Sequence, residues 1–230
     1  MLKSVFFDHD GTLVNSEVEH FRFWEKAMKN HDVTLPEQQY RDLYCGVPGA
    51  KNAQMLVEEY DLPIPATQLL LEKETLTDQF LETGVFGLLP HVKETLAYFQ
   101  RLKQQYPTKA PSTGVVSGAI HERIMSSLDG HHLTTHFDFI CGGDEVEQNK
   151  PNPSIYLLVV EKSGAKTDQC IAIEDSVVGV KSALGAGLDV CAIRSEYTTG
   201  HDFSMATVVV NSMKEAKKWM METYQLPRLT

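Results

Sequence analysis

The feature that most constrains the fold of this chain is a repeated alternation of short apolar runs with stretches of helical periodicity. Candidate strands lie at residues 2–7, 113–116, 137–141, 170–173, 189–193 and 207–210. Several are hydrophobic almost throughout, as expected of parallel strands that are covered on both faces. Between them apolar residues recur at helical spacing, as at Val92, Leu96 and Phe99. The alternation predicts an α/β fold with a doubly wound, Rossmann-like parallel sheet.

One interval breaks this alternation. Residues 16–83 contain no convincing strand and show the pattern of amphipathic helices punctuated by prolines. Ser16 followed by Glu19 has the spacing of a capping box, which predicts a helix start there. Residues 84–90 are predicted to return the chain to the sheet. The sequence therefore predicts an α/β core domain of residues 1–15 and 87–230, and an inserted all-helical domain of residues 16–86.

The stretch Asp-His-Asp-Gly-Thr-Leu begins at Asp8, directly after the first candidate strand. Open α/β sheets bind their ligands at the carboxyl ends of strands. In extended backbone, residues two apart point to the same side, so Asp8 and Asp10 are expected to face one pocket and His9 to point away. Two adjacent carboxylates repel, and a divalent cation or a shared proton relieves the repulsion. Asp-Gly is also a common turn dipeptide, so this stretch alone leaves a surface turn open.

Three further features follow candidate strands downstream. Ser117 and Gly118 end the second strand, Lys150 lies in a proline-rich segment before a helix, and Glu174 and Asp175 end the fourth strand. Each has an ordinary explanation, because serine and aspartate cap helices and loop lysines are commonly solvated. All of them, however, fall at the same end of the predicted parallel strands as the first acidic pair. Helix capping does not account for that coincidence, which favours a shared site.

Together these motifs resemble the haloacid dehalogenase superfamily, specifically its branch of phosphatases and β-phosphoglucomutase-like enzymes with a helical cap. The resemblance rests on the DxDGT stretch from Asp8, the strand-end Ser117, the Lys-Pro-x-Pro segment from Lys150, and the Glu-Asp-Ser segment from Glu174, in that order. It covers essentially the whole chain, and the strandless interval occupies the place where that branch carries its cap.

The resemblance implies a phosphoric monoester hydrolase with four catalytic residues. Asp8 would attack phosphorus and form an aspartyl-phosphate, and Asp10 would act as general acid and then as general base. Ser117 and Lys150 would hold the phosphoryl oxygens. The resemblance implies a phosphate-binding set of five residues: Gly11, Thr12, Ser117, Gly118 and Lys150.

The resemblance also implies a Mg²⁺ cofactor. The ion would be held by Asp8, the backbone carbonyl of Asp10 and Asp175, with Glu174 either in direct contact or just behind. Oxygen ligands of this kind suit octahedral Mg²⁺. The partner implied is a small phosphorylated metabolite, such as a sugar or polyol phosphate or a phosphoglycolate-like compound.

The sequence departs from the family pattern at two positions. Asn15 replaces the usual aspartate; asparagine caps a helix about as well, while its effect on charge near the metal stays open. Gly49 stands where the mutase has an arginine that holds a second phosphate, and Lys51 nearby is not a bidentate substitute. We therefore expect hydrolysis, with a phosphomutase and a non-catalytic phosphometabolite-binding protein as alternatives.

Residues 16–83 are expected to carry specificity. His20 lies in a segment similar to the first cap helix of β-phosphoglucomutase, where a histidine helps control the acid/base aspartate; an ordinary helix-face histidine is the other interpretation. The candidate specificity residues in the inserted domain are His20, Gly46 and Lys51.

Charge and hydropathy narrow the range of partners. The chain has 21 basic and 31 acidic residues, a net charge of −10, so its summed field repels phosphate backbones and we expect no nucleic-acid or membrane partner. No apolar stretch approaches the ~20 residues of a membrane span, and an acidic residue comes too early for a secretory signal. We expect a cytoplasmic monomer.

Overall fold

The computed structural model describes residues 1–229. Six parallel strands form one sheet in the spatial order β3-β2-β1-β4-β5-β6. The strands are β1 (Ser4–Phe7), β2 (Ser112–Val116), β3 (Phe139–Cys141), β4 (Cys170–Glu174), β5 (Asp189–Ile193) and β6 (Val208–Val210). All six predicted strands are present, with ends that differ by two residues or fewer. The central strand β1 pairs with β2 on one side and β4 on the other, so three strand ends meet beside Asp8.

Helices connect the strands and also fill the strandless interval. The α-helices are α1 (Glu17–Lys29), α2 (Glu37–Leu43), α3 (Gly49–Glu59), α4 (Ala66–Thr83), α5 (Val92–Gln105), α6 (His121–Gly130), α7 (Ser154–Ser163), α8 (Val177–Gly185) and α9 (Met213–Thr223). Short 3₁₀ turns lie at Thr134–His136, Gly143–Glu145 and Thr167–Gln169. Within residues 1–229, every helix is too short or too polar to span a bilayer.

The sheet is buried on both faces because its side chains alternate between two apolar layers. Phe7 of β1 packs in a layer with Phe99 of α5 and Ile124 of α6. The adjacent Phe6 packs in the opposite layer with Ile155 and Val159 of α7. This two-sided burial is the physical reason that the strands lack an alternation of polar residues.

Helices α1–α4 enclose an apolar cluster of their own, built around Trp24, Met28 and Leu56. Two adjacent crossings connect them to the sheet. The Asn15 N–H donates to the carbonyl of Gly87 at 2.7 Å, and Val14 lies opposite Leu88 in an antiparallel bridge. The segment that leaves the α/β part and the segment that returns to it therefore lie side by side.

The predicted capping box at the start of α1 is absent. Helix α1 begins at Glu17, but the Ser16 hydroxyl makes no capping hydrogen bond and is buried without a partner. Glu19 pairs with Arg22 instead of folding back to the helix start. The backbone of Ser16 is already in the helical region, with φ −84° and ψ −23°, and that conformation does not aim its hydroxyl at the N–H groups of the first turn.

Candidate active site

Asp8 lies where β1 ends, at the floor of a cavity of about 500 Å³ between the sheet and helices α1–α4. Its N–H donates to the carbonyl of Ile173 in β4 at 2.9 Å, which prolongs the strand pairing by one residue. The residue is 6% exposed and its side chain 9%. The pairing of β1 with β4 thus holds Asp8 at the carboxyl edge of the sheet, with little of its surface open to solvent.

Lys150 joins the strand ends through three hydrogen bonds. Its Nζ donates to Asp8 Oδ1 at 2.6 Å, to Glu174 Oε1 at 2.7 Å and to the carbonyl of Val116 at 3.0 Å. Burial alone lowers the pKa of Lys150, but Asp8 and Glu174 outweigh it and raise that pKa above its usual value. The lysine is therefore a fixed positive charge beside Asp8.

Glu174 is fully buried and accepts hydrogen bonds from two side chains. Besides Lys150, the Tyr156 hydroxyl of α7 donates to Glu174 Oε1 at 2.6 Å. Both bonds are made to Oε1, and Glu174 is not among the residues that line the cavity. Glu174 therefore lies behind Lys150.

Asp8, Glu174 and Asp175 each offer a carboxylate oxygen within 4.8 Å of the others. Burial raises the pKa of Asp8 to about 7. The positive charge of Lys150 lowers that pKa but is outweighed, because the negative charges of Glu174 and Asp10 act in the same direction as burial. Burial and the charges of Asp8, Glu17 and Glu174 raise the pKa of Asp175 well above its usual value. Carboxylates that resist ionisation this strongly call for a cation, and an all-oxygen set of this kind fits Mg²⁺.

The backbone at Gly11 is what brings Asp175 close. Gly11 has φ +74°, and a Cβ at this position would lie 1.8 Å from Asp175 Oδ2. Gly11 and Thr12, whose role in binding phosphate stays a prediction, do not line the cavity above Asp8. Both line a separate cavity of about 290 Å³ rather than the one above Asp8. The reason is that the chain turns back immediately after Asp10, with Gly11 N–H donating to Val14 O at 2.8 Å.

Asp10 borders the cavity and contacts three polar side chains. Ser117 Oγ donates to Asp10 Oδ2 at 3.3 Å, His9 Nδ1 lies 3.3 Å from the same oxygen, and His20 Nε2 lies 3.7 Å from Oδ1. Loss of solvent raises the pKa of Asp10, but His9 and His20 outweigh that effect and hold it well below its usual value. Asp10 is thus ionised in this arrangement.

His9 departs from the expectation that it points away from Asp10. Its Nε2 hydrogen bonds to Ser127 of α6 at 2.9 Å, which brings Nδ1 beside Asp10. The alternation of side chains predicts orientation only while the backbone stays extended, and the extended strand ends at Phe7.

The cavity brings together most of the residues predicted from sequence. Asp8, Asp10, Ser117, Gly118, Lys150 and Asp175 all line it, and Glu174 lies just behind Lys150. Among the candidates in the helical interval, His20 and Gly46 line the cavity as well. Lys51 does not: its exposed Nζ faces Gln54 on the outer side of α3, 3.4 Å from Oε1.

Several cavity residues were not identified from sequence. They are Glu17, Lys73, Glu74 and Arg123 in the wall and Tyr156 behind it. Charged residues on helices ordinarily face solvent, and no local pattern distinguishes these from their neighbours. Only the helical period could have helped, because Lys73 lies one turn after Leu69, which faces the apolar cluster of α1–α4.

Comparisons with known proteins agree with this geometry. A sequence model of haloacid dehalogenase-like hydrolases matches residues 5–193. Protein CbbY of Rhodobacter capsulatus is 30% identical over 210 residues, covering 89% of this chain and 91% of that protein. The fructose-1-phosphate phosphatase YqaB of Escherichia coli is 26% identical, covering 82% of this chain and 94% of YqaB.

Solved structures share the fold over nearly the whole chain. CbbY from Rhodobacter sphaeroides in complex with xylulose-(1,5)bisphosphate has a TM-score of 0.77 at 22% identity, covering 92% of this chain and 95% of that one. The β-phosphoglucomutase of Clostridium difficile has a TM-score of 0.80 at 18% identity, covering 98% of each chain. The family match extends over most of the sequence and includes every strand-end motif described above: this chain belongs to the haloacid dehalogenase-like hydrolases.

Proposed function

We propose that this protein is a Mg²⁺-dependent phosphatase that hydrolyses a small phosphorylated metabolite through an aspartyl-phosphate on Asp8. The observation that carries the proposal is the pairing of Asp8 with Lys150 beside the carboxylates of Glu174 and Asp175, with Asp10 in the same cavity. A buried carboxylate is a useful nucleophile only where cations offset the charge of the incoming phosphate. Lys150 supplies one such charge.

In the first step, one oxygen of Asp8 forms a bond to phosphorus while the bond from phosphorus to the ester oxygen breaks. Asp10 donates its proton to the departing oxygen, so that an alcohol leaves. Ser117 and Lys150 bind non-bridging phosphoryl oxygens, whose charge grows towards the transition state. In the second step, water attacks phosphorus and gives its proton to Asp10. The bond to Asp8 breaks and inorganic phosphate is released.

Asp10 must carry a proton in the first step, although His9 and His20 favour its ionised form. A dianionic phosphate bound beside Asp10 opposes that effect, because a like charge raises the pKa of a carboxyl group. The ionised Asp10 of the substrate-free site is already suited to the second step. We therefore assign the two histidines the role of stabilising the ionised Asp10 that the first step leaves behind, so that it can accept the proton of the attacking water.

We assign the metal site to Asp8, Asp175 and the backbone carbonyl of Asp10, with Glu174 behind them. Glu174 is already bound by Lys150 and Tyr156, so its contribution is to position the lysine and to add negative charge behind the site. When bound, Mg²⁺ neutralises charge on the phosphate and on the attacking carboxylate.

We assign residues 16–86 the role of a cap that excludes water and selects the substrate. Helix α1 contributes Glu17, His20 and Trp24 to the cavity, opposite the strand ends. YqaB acts on fructose 1-phosphate, and the CbbY complex holds a sugar bisphosphate. By that similarity a sugar or polyol phosphate is the leading substrate class, and a phosphoglycolate-like compound is the alternative.

A phosphomutase is the second candidate, favoured by the position of His20 at 3.7 Å from Asp10. A mutase must bind the second phosphate of its bisphosphate intermediate while that intermediate reorients in the site. Gly49 lines the cavity where an arginine clamp would be needed and has no side chain to supply it. A mutase would convert a hexose 1-phosphate to its isomer faster than it releases phosphate.

The test is release of inorganic phosphate from a panel of small phosphoesters, with and without Mg²⁺. We expect Mg²⁺-dependent release that Asp8→Asn reduces by at least about a thousandfold. The control variant Asp42→Asn removes an exposed carboxylate of α2 and should leave the rate unchanged.

Activity retained by Asp8→Asn would contradict the assignment of the nucleophile. Binding of phosphoesters without turnover under any divalent metal would instead identify a non-catalytic phosphometabolite-binding protein.

A further inference from the structure

The cavity wall formed by α3, α4 and α6 carries an unusual arrangement of charge. Glu74 of α4 lies between two cations: it pairs with Lys73 at 3.1 Å and with the Arg123 guanidinium of α6. Arg123 also pairs with Asp78 at 2.6 Å. Two positive and two negative side chains thus form one cluster, called here the α4–α6 cluster (Lys73, Glu74, Asp78, Arg123), with no net charge.

The α4–α6 cluster faces the cavity through three of its members. Lys73, Glu74 and Arg123 line the cavity above Asp8, while Asp78 lies outside it and is 57% exposed. Lys73 has 8% of its side chain exposed and Glu74 has 27%. Glu74 Oε1 also lies 3.8 Å from the position that a Cβ on Gly49 would occupy. Glu74 therefore lies where the N-terminus of α3, helix α4 and helix α6 converge.

Glu74 is ionised at neutral pH. Partial burial raises its pKa, but Lys73 and Arg123 outweigh burial and lower that pKa below its usual value. A carboxylate held by two cations occupies the donors that an entering anion would otherwise use. A second phosphate or a carboxylate reaching this wall would meet a like charge and would have to displace Glu74 from both partners.

No other cation of the described cavity wall is available to a second anion. Apart from histidines, the cations among the described lining residues are Lys73, Arg123 and Lys150. Lys150 is bound to Asp8 and Glu174 and serves the reacting phosphate. Five carboxylates share the same lining: Asp8, Asp10, Glu17, Glu74 and Asp175. The cavity therefore has cationic capacity for one phosphate.

The same wall is well suited to hydroxyl groups. A hydroxyl both donates and accepts, so it can donate to Glu74 while accepting from Lys73 or Arg123 without breaking the cluster. Apolar side chains, including Trp24, Leu81 and Phe86, line the space beside it. Alternating polar and apolar surface is what the ring or chain of a sugar or polyol presents.

We propose, as an inference that rests on the phosphatase function proposed above, that the substrate carries a single phosphate and an uncharged, hydroxyl-bearing remainder, and that Glu74 excludes compounds with a second anionic group. Monophosphates of sugars and polyols meet this description. Sugar bisphosphates and phosphoglycolate do not. Glu74 is thus a specificity-determining residue that acts through repulsion as well as hydrogen bonding.

The test compares kcat/KM for fructose 1-phosphate and fructose 1,6-bisphosphate, which differ only by the second phosphate. We expect the wild-type protein to prefer the monophosphate. Glu74→Gln keeps the shape of the side chain but removes its charge, leaving Lys73 without its partner and Arg123 with Asp78 alone. That variant should shift the ratio of the two kcat/KM values towards the bisphosphate by at least about tenfold.

Glu82→Gln is the matched control, because Glu82 lies exposed on the same helix outside the cavity lining and its loss changes the net charge equally. It should leave the ratio unchanged. An equal shift in Glu82→Gln would show that overall charge sets the preference, and a wild-type preference for the bisphosphate would overturn the inference directly. An unchanged ratio in Glu74→Gln, with the protein folded, would remove Glu74 as the determinant.

These outcomes are distinguishable from failure of the phosphatase function itself. If the function fails, neither compound releases phosphate with Mg²⁺ in the wild-type protein. If only the inference fails, phosphate is released and Asp8→Asn abolishes the release, but the ratio does not respond to Glu74. Thermal unfolding of each variant identifies any that has lost its fold.

Discussion

At the scale of single residues, the candidate site brings buried carboxylates of like charge close together. Asp175 is 4% exposed, and burial and three neighbouring carboxylates all disfavour its ionised form. Its folded-state pKa is therefore raised above the value it has in the unfolded chain. Such a group contributes stability below its unfolded pKa, and that contribution is lost as pH rises through the folded-state value.

We predict from this sign that, with a chelator present, the contribution of Asp175 to thermal stability falls as pH rises from about 4 towards and beyond neutrality. Asp175→Asn should flatten that dependence, since its side chain does not ionise. Added Mg²⁺ should raise the melting temperature of the wild-type protein at pH 8 and have little effect on the variant. Scanning calorimetry with and without Mg²⁺ measures both. An equal response to Mg²⁺ in the two proteins would remove Asp175 from the metal site.

Gly11 provides a second residue-scale prediction. A Cβ at this position would overlap Asp175 Oδ2, and φ +74° is strained for any side chain. Gly11→Ala should weaken Mg²⁺ binding and reduce phosphate release by about a hundredfold or more, because small displacements in a catalytic site are costly.

Gly200→Ala is the matched control for Gly11→Ala. Gly200 has no neighbouring atom within 4 Å of the new Cβ, so the variant should behave as wild type. The prediction would be contradicted if the two variants had the same Mg²⁺ titration and the same rate.

At the scale of elements, helices α1–α4 hold their own apolar cluster while two short crossings tie them to the sheet. Trp24 of α1 is 2% exposed within that cluster. The helices also contact the α/β part: Phe23 of α1 belongs to the same apolar layer as Phe7, and Tyr197 packs against the helical cluster, where Arg41 lies 4.3 Å from its ring centroid. This organisation predicts that residues 16–86 can loosen without loss of the sheet.

We expect Trp24→Ala to destabilise the helical cluster by about 3–5 kcal/mol, since it leaves a large cavity among buried side chains. Hydrogen exchange should speed up within residues 16–86 and stay slow in β1, β2 and β4. The comparison variant Trp219→Ala changes a partly buried tryptophan of α9 that packs against the apolar layer of Phe7 and Phe99, and it should affect the α/β part instead. Uniform acceleration across the chain in Trp24→Ala would show that the two parts unfold as one unit.

At the scale of the whole molecule, apolar side chains that stay exposed are dispersed over separate elements. The large ones with more than a third of their surface exposed include Leu43 in α2, Leu71 in α4, Leu157 in α7 and Val209 in β6. Specific protein interfaces bury about 1,600 Å² around a continuous apolar centre.

We therefore predict a monomer in solution. Light scattering at several protein concentrations should return the mass of one chain throughout. A mass of two chains that persists on dilution would contradict the prediction and would direct attention to the sheet edge at β6.

The sequence by itself determined the order and position of the six strands, the helical interval, and the placement of Asp8, Ser117, Lys150 and Asp175 at one edge of the sheet. It could do so because Asp8, Ser117 and Asp175 directly follow buried strands, Lys150 lies in the segment that connects β3 to α7, and parallel strands necessarily end on the same side. Hydrophobic runs and strand-end polar residues are local features that need no knowledge of distant contacts.

Only the tertiary structure decided which side chains from separate helices meet. Arg123 and Glu74 are 49 residues apart and pair because α4 and α6 meet at the cavity wall, and Tyr156 reaches Glu174 because α7 packs on the face of the sheet opposite α5. The outward direction of Lys51 and the position of Gly11 outside the cavity above Asp8 are decided in the same way. The rotation of a helix about its axis and the path of a turn depend on packing between elements, which no local pattern records.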